Sequence, residues 1–237
     1  MPVSKADLDQ ALAYADTHVE QSLDRLRQLV AIKSISTDPS YAAECKRAAD
    51  WIVADLRSEG FEASARPTPG HPVVVAHAPK VVGPTAVFYA HYDVQPVDPV
   101  NLWNTDPFTL TPVRQPDGET HLVGRGTSDD KGQLLTFVEA CRAWKATTGR
   151  LPINVKLCLE GEEESGGRNL PPFLAATKDE LQADVALICD TDLQDAQTPS
   201  ITTMLRGLVG EEVEITAANK DLHSGMYGNA ARNPNQV

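Results

Sequence analysis

A histidine and an aspartate stand two residues apart in the segment FYAHYDVQP, as His91 and Asp93. In a strand-like backbone both side chains point to the same side. A histidine that binds a metal through one ring nitrogen commonly has its other nitrogen held by a carboxylate, which Asp93 could supply. The structural alternative is a hydrogen-bonded surface histidine at the end of a strand. The pair is therefore a candidate for part of a metal site.

A second acidic pair, Asp129 and Asp130, lies in the glycine-rich segment GRGTSDDKG, just before a predicted helix. Acidic side chains at this position can cap the free N–H groups of a helix and interact favourably with its dipole. Capping alone would explain them. The glycines favour a binding site, because they let the backbone approach a ligand closely.

A run of glutamates follows the predicted strand 153–159: Glu160, Glu162, Glu163 and Glu164. Acidic runs are usually solvated surface. Carboxylates packed at one strand end repel one another, however, and a bound divalent cation relieves that repulsion. One glutamate can then bind metal while its neighbour acts as a general base. The fourth candidate, Asp190, follows the predicted strand 184–189, and its alternative is a polar loop.

These four groups all follow predicted strands, and an open α/β sheet collects the residues at its carboxyl edge into one crevice. One imidazole with several carboxylates, and no thiolate pair, suits Zn²⁺, Mn²⁺ or Co²⁺. Two such ions, three carboxylates and a bridging hydroxide would be nearly neutral, and that hydroxide could attack a carbonyl that the ions polarise. The predicted chemistry is hydrolysis. The sequence contains no GxSxG elbow, phosphate-binding loop or dinucleotide fingerprint.

The elements that must position these residues follow from the apolar periodicity. Helices are predicted at 8–30, 42–59 (ended by Gly60), 133–145 and 169–181, and strands at 61–66, 72–77, 85–90, 121–124, 153–159 and 184–189. Their alternation predicts an α/β fold, with a mainly parallel sheet flanked by helices on both faces. From Gly207 the pattern changes, and residues 207–217 predict a strand of another layer. We therefore expect two domains, 1–206 and 207–237.

Composition excludes several classes of function. The chain has 237 residues and a net charge of −12, and it lacks the basic patch that nucleic acid requires. No apolar run approaches the roughly 20 residues of a membrane span, and the polar N-terminus has no apolar segment typical of a signal peptide. The four cysteines form no CxxC pair. We expect a soluble protein of the reducing cytoplasm, with no nucleic-acid or membrane partner.

Five segments together resemble the dinuclear zinc metallopeptidase family of carnosinase, glutamate carboxypeptidase, aminoacylase and succinyl-diaminopimelate desuccinylase. They are HYDVQP with LWNTDPF, GRGTSDDKG, EGEEESGG, ICDTD and DLHSGMYGN, in the family's order. The resemblance spans essentially the whole chain and about the first half of a family protein. It implies a zinc-peptidase-like catalytic sheet followed by the start of an α+β lid and dimerisation domain, without the C-terminal half of the family fold.

The resemblance also implies roles for individual residues. His91 and Asp190 would bind one metal ion, Asp129 would bridge two ions, and Glu164 would bind the second. Glu163 would be the general base, taking a proton from the bridging water and returning it to the leaving amine.

Further expectations come from the same resemblance. Asp93 would support the metal histidine, and His223 in DLHSG would stabilise the oxyanion from the lid, often across a dimer. A cis peptide is expected at Asp129-Asp130. The family's second metal-binding histidine has no counterpart here, because no histidine follows His223.

The segment DLHSGMYG is closer to the carnosinase-like dipeptidase branch than to the deacetylase branch. The leading expectation is a dimeric enzyme that hydrolyses dipeptides or short peptides with two divalent ions, zinc before manganese or cobalt. One alternative is a deacylase or desuccinylase of N-acyl amino acids. Another is a truncated, non-catalytic metal-binding module.

Overall fold

The computed structural model describes residues 3–195, 198 and 200–236, and the chain divides into two compact units, Met1–Asp192 and Leu193–Val237. The helices are α1 (Lys5–Thr17), α2 (Val19–Val30), α3 (Ala42–Ser58), α4 (Lys131–Thr148), α5 (Leu170–Ala176), α6 (Lys178–Leu181) and α7 (Ser224–Tyr227). The strands are β1 (Glu62–Arg66), β2 (Val73–His77), β3 (Thr85–His91), β4 (Thr111–Arg114), β5 (Thr120–Val123), β6 (Asn154–Glu160) and β7 (Val185–Ile188). The domain boundary between residues 206 and 207 stays a prediction.

The N-terminal apolar pattern forms two helices, not the single helix predicted between residues 8 and 30. The break is at His18, whose backbone has φ −117° and ψ 17°. Its ring stacks on Tyr14 with 3.8 Å between centroids, and its Nδ1 lies 2.8 Å from the Tyr14 carbonyl oxygen. Side-chain bonds to the preceding turn compete with the regular helical ladder, which apolar spacing alone does not reveal.

Five strands form the main sheet in the order β1-β2-β6-β3-β7. The three strands β6, β3 and β7 are parallel, whereas β1 and β2 extend the sheet with antiparallel pairs. A short connection suffices between antiparallel neighbours such as β1 and β2, while each parallel pair needs a crossover. The α/β class predicted from the sequence is confirmed, with parallel strands at the part of the sheet that carries the site.

Helices cover both faces of this sheet, as predicted. On one face Phe88 of β3 stacks on Phe137 of α4, with ring centroids 4.0 Å apart. The core there also includes Ile52 and Leu56 of α3. On the other face the strand residues Val73, Val75 and Cys158 pack with Leu170, Phe173 and Leu181 of α5 and α6. Packing on both faces buries most of β2 and β6 and makes them a rigid base for the loops at their ends, whereas the edge strand β7 is exposed along its length.

A separate two-stranded antiparallel sheet is formed by β4 and β5. β5 corresponds to the predicted strand 121–124, but it lies outside the main sheet. The expectation that all four acidic groups follow strands of one sheet is therefore wrong for Asp129, which reaches the site from the start of α4. β4 has no counterpart among the predicted strands, because Pro112 and its polar neighbours obscure the alternation.

Two other predicted elements differ from the structure. The strand predicted at 207–217 is absent, since these residues have no regular secondary structure. A strand is stabilised by hydrogen bonds to a neighbour, and within the described residues no strand pairs with this segment. The helix predicted at 169–181 is interrupted at Thr177, whose hydroxyl bonds the Phe173 carbonyl oxygen at 2.8 Å.

Three of the four cysteines, Cys45, Cys141 and Cys158, are buried and all four are free thiols. Burial raises the pKa of each of these three thiols to about 12. They therefore behave as inert core side chains, as their apolar surroundings in the sequence predict. None of the helices in the described ranges has both the length and the apolar character that crossing a bilayer requires.

Candidate metal centre

The site begins at the carboxyl end of β3, where His91 is wholly buried. β3 lies between β6 and β7, so the residues that follow those two strands emerge on either side of His91. His91 is level with Glu160 of β6 in the parallel register. Asp190 follows the end of β7. The strand order thus brings together residues that are far apart in the sequence.

Asp93 is also wholly buried and holds the Nδ1 side of the His91 ring. His91 Nδ1 lies 3.1 Å from the backbone oxygen of Asp93 and 3.4 Å from its Oδ1. The same carboxylate accepts backbone hydrogen bonds from Glu163 at 3.3 Å and from Glu164 at 3.1 Å. Asp93 therefore fixes both the imidazole and the turn that carries the two glutamates.

The other ring nitrogen of His91 faces two carboxylates. Nε2 lies 2.9 Å from Asp129 Oδ1 and 3.5 Å from Asp190 Oδ2, yet neither contact has the geometry of a hydrogen bond. One ligand atom from each of the three residues can be chosen so that all lie within 4.8 Å of one another. A buried nitrogen without a hydrogen bond, facing two acidic oxygens, is the arrangement that a divalent ion such as Zn²⁺ would satisfy.

Asp129 and Asp130 reach this point at the start of α4. The peptide bond between them is cis, as expected from the resemblance. Asp130 Oδ2 accepts a hydrogen bond from the backbone N–H of His91 at 3.0 Å. The next residue, Lys131, is wholly buried and donates to the carbonyl oxygens of Leu29 at 3.1 Å and Ile32 at 2.6 Å. The acidic turn is thus bonded both to β3 and to the end of α2.

The carboxylates make this site strongly negative. Burial alone would lower the pKa of His91, but the hydrogen bond and charge of Asp93 and the charges of Asp130 and Asp129 raise it to about 10. Burial raises the pKa of Asp190, and the nearby charge of Asp129 adds to the shift. Both shifts favour added positive charge at the site, whether protons or a metal ion supply it.

The glutamates after β6 lie on a 3₁₀ turn, Glu163–Ser165. The carboxylate of Glu164 accepts a hydrogen bond from Gln95 Nε2 at 2.6 Å. Glu164 is not a member of the three-residue cluster. Burial raises the pKa of Glu163, and the negative charges of Glu164 and Asp190 raise it further, although the charge of His91 opposes them.

The two remaining glutamates of the run bind protein groups. Glu160 is buried and accepts a hydrogen bond from the hydroxyl of Tyr89. Glu162 accepts one from Asn169 Nδ2 at 2.7 Å. The acidic run is therefore not a uniform solvated surface.

Sequence reasoning did not single out Gln95. Its place two residues after Asp93, in the same segment HYDVQP, was the available signal. His223 lies in the second unit, where it precedes α7 and its Nδ1 accepts a hydrogen bond from the backbone N–H of Gly225 at 3.0 Å. Its role stays a prediction.

Comparison with known proteins places the chain among peptidases. Residues 87–230 match the profile described as "Peptidase family M20/M25/M40". A Cys-Gly metallodipeptidase of Schizosaccharomyces pombe is 31% identical over 97% of this chain and 50% of its own length. A Beta-Ala-His dipeptidase of Rattus norvegicus is 33% identical over 98% of this chain and 50% of its own length. The chain spans about half the length of the curated relatives it matches.

Solved structures agree with this assignment. The dipeptidase Dug1p from Saccharomyces cerevisiae superposes with a TM-score of 0.78, at 26% identity, over 97% of this chain and 50% of that one. Human carnosine dipeptidase 1 superposes with a TM-score of 0.70, at 30% identity, over 81% of this chain and 42% of that one. The fold is thus shared with known dipeptidases.

Proposed function

Because the chain belongs to peptidase family M20/M25/M40, we propose that the protein hydrolyses the amide bond of dipeptides or short peptides with two divalent metal ions. Zinc is the proposed metal, since it accepts both imidazole nitrogen and carboxylate oxygen as ligands, and manganese or cobalt would fit the same donors. The names of the relatives, a Cys-Gly metallodipeptidase and a Beta-Ala-His dipeptidase, support dipeptides as the substrate class.

One observation carries the proposal. The buried Nε2 of His91 makes no hydrogen bond and faces the carboxylates of Asp129 and Asp190. In the absence of another partner, a buried polar nitrogen of this kind costs free energy. A donor set of one imidazole and two carboxylates fits a divalent cation. We propose that His91 and Asp190 bind one ion, that Asp129 bridges two ions, and that Glu164 binds the second.

Bound ions would supply an activated water as nucleophile and would polarise the substrate carbonyl. The protein side chains then orient the site and move the proton. Asp93 holds the His91 ring through Nδ1, so that Nε2 stays directed at the two carboxylates. It also holds the backbone of Glu163, which keeps that glutamate next to the cluster.

Glu163 is the proposed general base. Within the described residues its carboxylate accepts no hydrogen bond, so the carboxylate is available to take a proton. Burial first, and then the charges of Glu164 and Asp190, raise the pKa of Glu163, a direction that favours uptake of a proton by its carboxylate. The proton passes from water to a carboxylate oxygen of Glu163 and then to the leaving amine.

Three further assignments complete the proposal. His223 of the second unit is proposed to stabilise the oxyanion of the substrate. A homodimer is proposed from the resemblance alone. A cytoplasmic location is proposed because all four cysteines are free thiols, which suits a reducing compartment.

The experiment that tests the function is a substrate panel with the protein in its full native length, loaded with Zn²⁺ or Mn²⁺. The panel contains Cys-Gly, β-alanyl-histidine and other dipeptides beside acetylated and succinylated amino acids. We expect hydrolysis of dipeptides, which stops when a chelator removes the metal and returns when the metal is restored.

Two outcomes would contradict the proposal. Hydrolysis of acylated amino acids without hydrolysis of dipeptides would assign a deacylase. No turnover of any substrate by protein that carries its metal would assign a non-catalytic metal-binding module.

A further inference from the structure

Gln95 contacts Glu164 at two different atoms. Its Nε2 donates to Glu164 Oε2 at 2.6 Å and lies 3.3 Å from the Glu164 backbone oxygen. One amide group therefore links the carboxylate of Glu164 to the backbone of the same residue. This double contact restricts the rotation of the Glu164 side chain.

The backbone from which Gln95 extends is itself firmly held. Ser34 Oγ donates to the backbone oxygen of Tyr92 at 2.7 Å. The backbone N–H of Val94 in turn donates to the backbone oxygen of Ser34 at 3.0 Å. A parallel β-bridge joins Ile35 to Val94. Because the preceding residues are anchored and buried, the backbone of Gln95 starts from a fixed position, and its exposed side chain reaches Glu164 from there.

The neighbouring glutamates Glu163 and Glu164 differ in whether another residue holds their side chains. Both bind Asp93 through their backbone N–H groups, so their backbones are held alike. Of the two side chains, only that of Glu164 accepts a hydrogen bond within the described residues, through Oε2. Its other oxygen, Oε1, accepts none there. A metal ligand benefits from a fixed carboxylate with one oxygen left for the ion, whereas a general base must remain free to move its proton.

The chemistry of the donor also fits this role. A glutamine amide is neutral, so it orients the carboxylate of Glu164 and leaves its full negative charge for a cation. A lysine or arginine at the same place would neutralise part of that charge and weaken the attraction.

We propose that Gln95 is a positioning residue that holds Glu164 by Oε2 and leaves Oε1 free to bind a divalent ion. This inference rests on the proposed function, in which Glu164 binds the second ion. Outer groups of this kind typically change metal affinity by about 10–100-fold when they are removed.

The test compares Zn²⁺ binding by the native protein and two variants, measured by competition with a chromophoric chelator. Gln95→Met removes the donor and keeps a side chain of similar length. Gln115→Met is the matched control, because Gln115 lies in the β4–β5 hairpin and its Nε2 donates only to Val113 at 3.4 Å. Thermal unfolding of the metal-free proteins checks that both variants keep the native fold.

We expect the native protein to bind two ions, and Gln95→Met to bind one of them about 10–100-fold more weakly, with the other unchanged. Gln115→Met should bind both as the native protein does. Two ions bound by Gln95→Met with native affinities would overturn the role of Gln95 and leave the proposed function standing. Fewer than two ions on the native protein would overturn both. Native protein that binds two ions but hydrolyses nothing would overturn the function alone, and the affinity comparison would still decide the role of Gln95.

Discussion

Asp93 contacts the ring of His91 with two of its oxygens, its backbone oxygen at 3.1 Å and Oδ1 at 3.4 Å from Nδ1. The same carboxylate binds the backbone of Glu163 and Glu164. The proposed metal histidine and the proposed general base are therefore held by one buried residue, the histidine by its backbone oxygen and nearby carboxylate and the base by its carboxylate. Any change at Asp93 acts on both at once.

Asp93→Asn should lower zinc affinity by about 10–100-fold. An asparagine has one oxygen and one NH₂ group, so it cannot offer a separate acceptor oxygen to each of the N–H groups of Glu163 and Glu164, and it lacks the negative charge next to His91. Chelator competition measures the change. Asp117→Asn is the control, because Asp117 accepts a backbone hydrogen bond from Glu119 in the distant hairpin. Native zinc affinity in Asp93→Asn would argue against the supporting role of Asp93.

Glu163→Gln should lower the rate of dipeptide hydrolysis by about 10²-fold or more while the protein still binds its metal. The amide keeps the size of the side chain but cannot accept the proton. Steady-state kinetics and metal analysis on the same sample separate the two effects. Glu162→Gln is a neighbouring control, since Glu162 bonds Asn169 instead. Equal rate losses in the two variants would contradict the assignment of Glu163 as the base.

Glu139 should stabilise the fold in a pH-dependent manner. Burial opposes its ionisation, but hydrogen bonds from Arg25 and Ser22 and the charge of Arg142 hold its pKa below the ordinary value of 4.5. A lowered pKa in the folded state stabilises the protein above the unfolded pKa, and the contribution is lost as the pH falls through the folded pKa. Glu139→Gln should therefore cost about 2 kcal/mol of unfolding free energy at pH 7 and progressively less below roughly pH 4.

Denaturant unfolding at several pH values measures this difference between the native protein and Glu139→Gln. Glu20→Gln is a control on the same helix layer, because Glu20 is mostly exposed and lies 3.7 Å from Arg27. Exposed pairs contribute little to stability. A difference for Glu139→Gln that stays constant between pH 7 and acid would contradict the role of its ionised form.

Gly161→Ala should destabilise the protein by about 1–3 kcal/mol, because a methyl group there would overlap the ring of Tyr92. Tyr92 is wholly buried and lies between His91 and Asp93, so the overlap has to displace either the site or the turn after β6. Gly207→Ala is the control, since nothing lies within 4 Å of the added carbon. Thermal or denaturant unfolding compares the stability of the two variants. Equal stability would show that the turn after β6 can shift to accommodate the methyl group without loss of stability.

Much of the fold and site follows from the sequence. Short apolar strands alternating with amphipathic helices predict the α/β class. The helical spacing of apolar residues buries one face of a helix, and the short apolar runs suit strands inside a sheet. The residue types and places of His91 at the end of a strand, Asp129 just before a helix and Asp190 after another strand predict the cluster that the structure assembles. The local sequence suffices to predict the α/β class and this cluster, because it determines both the type of secondary structure and the residue that lies at its end.

Other features are decided by tertiary contacts. The segment 207–217 has the residues of a strand but no partner to pair with in the described structure, and β5 joins β4 instead of the main sheet. Glu162, Glu163 and Glu164 are chemically identical in the sequence. They differ in the structure because Asn169, Asp93 and Gln95 bind different atoms of them. Which carboxylate is held and which is free depends on these neighbours. Asp93 and Gln95 lie 70 and 69 residues away from the glutamates they bind, and only the folded molecule brings them together.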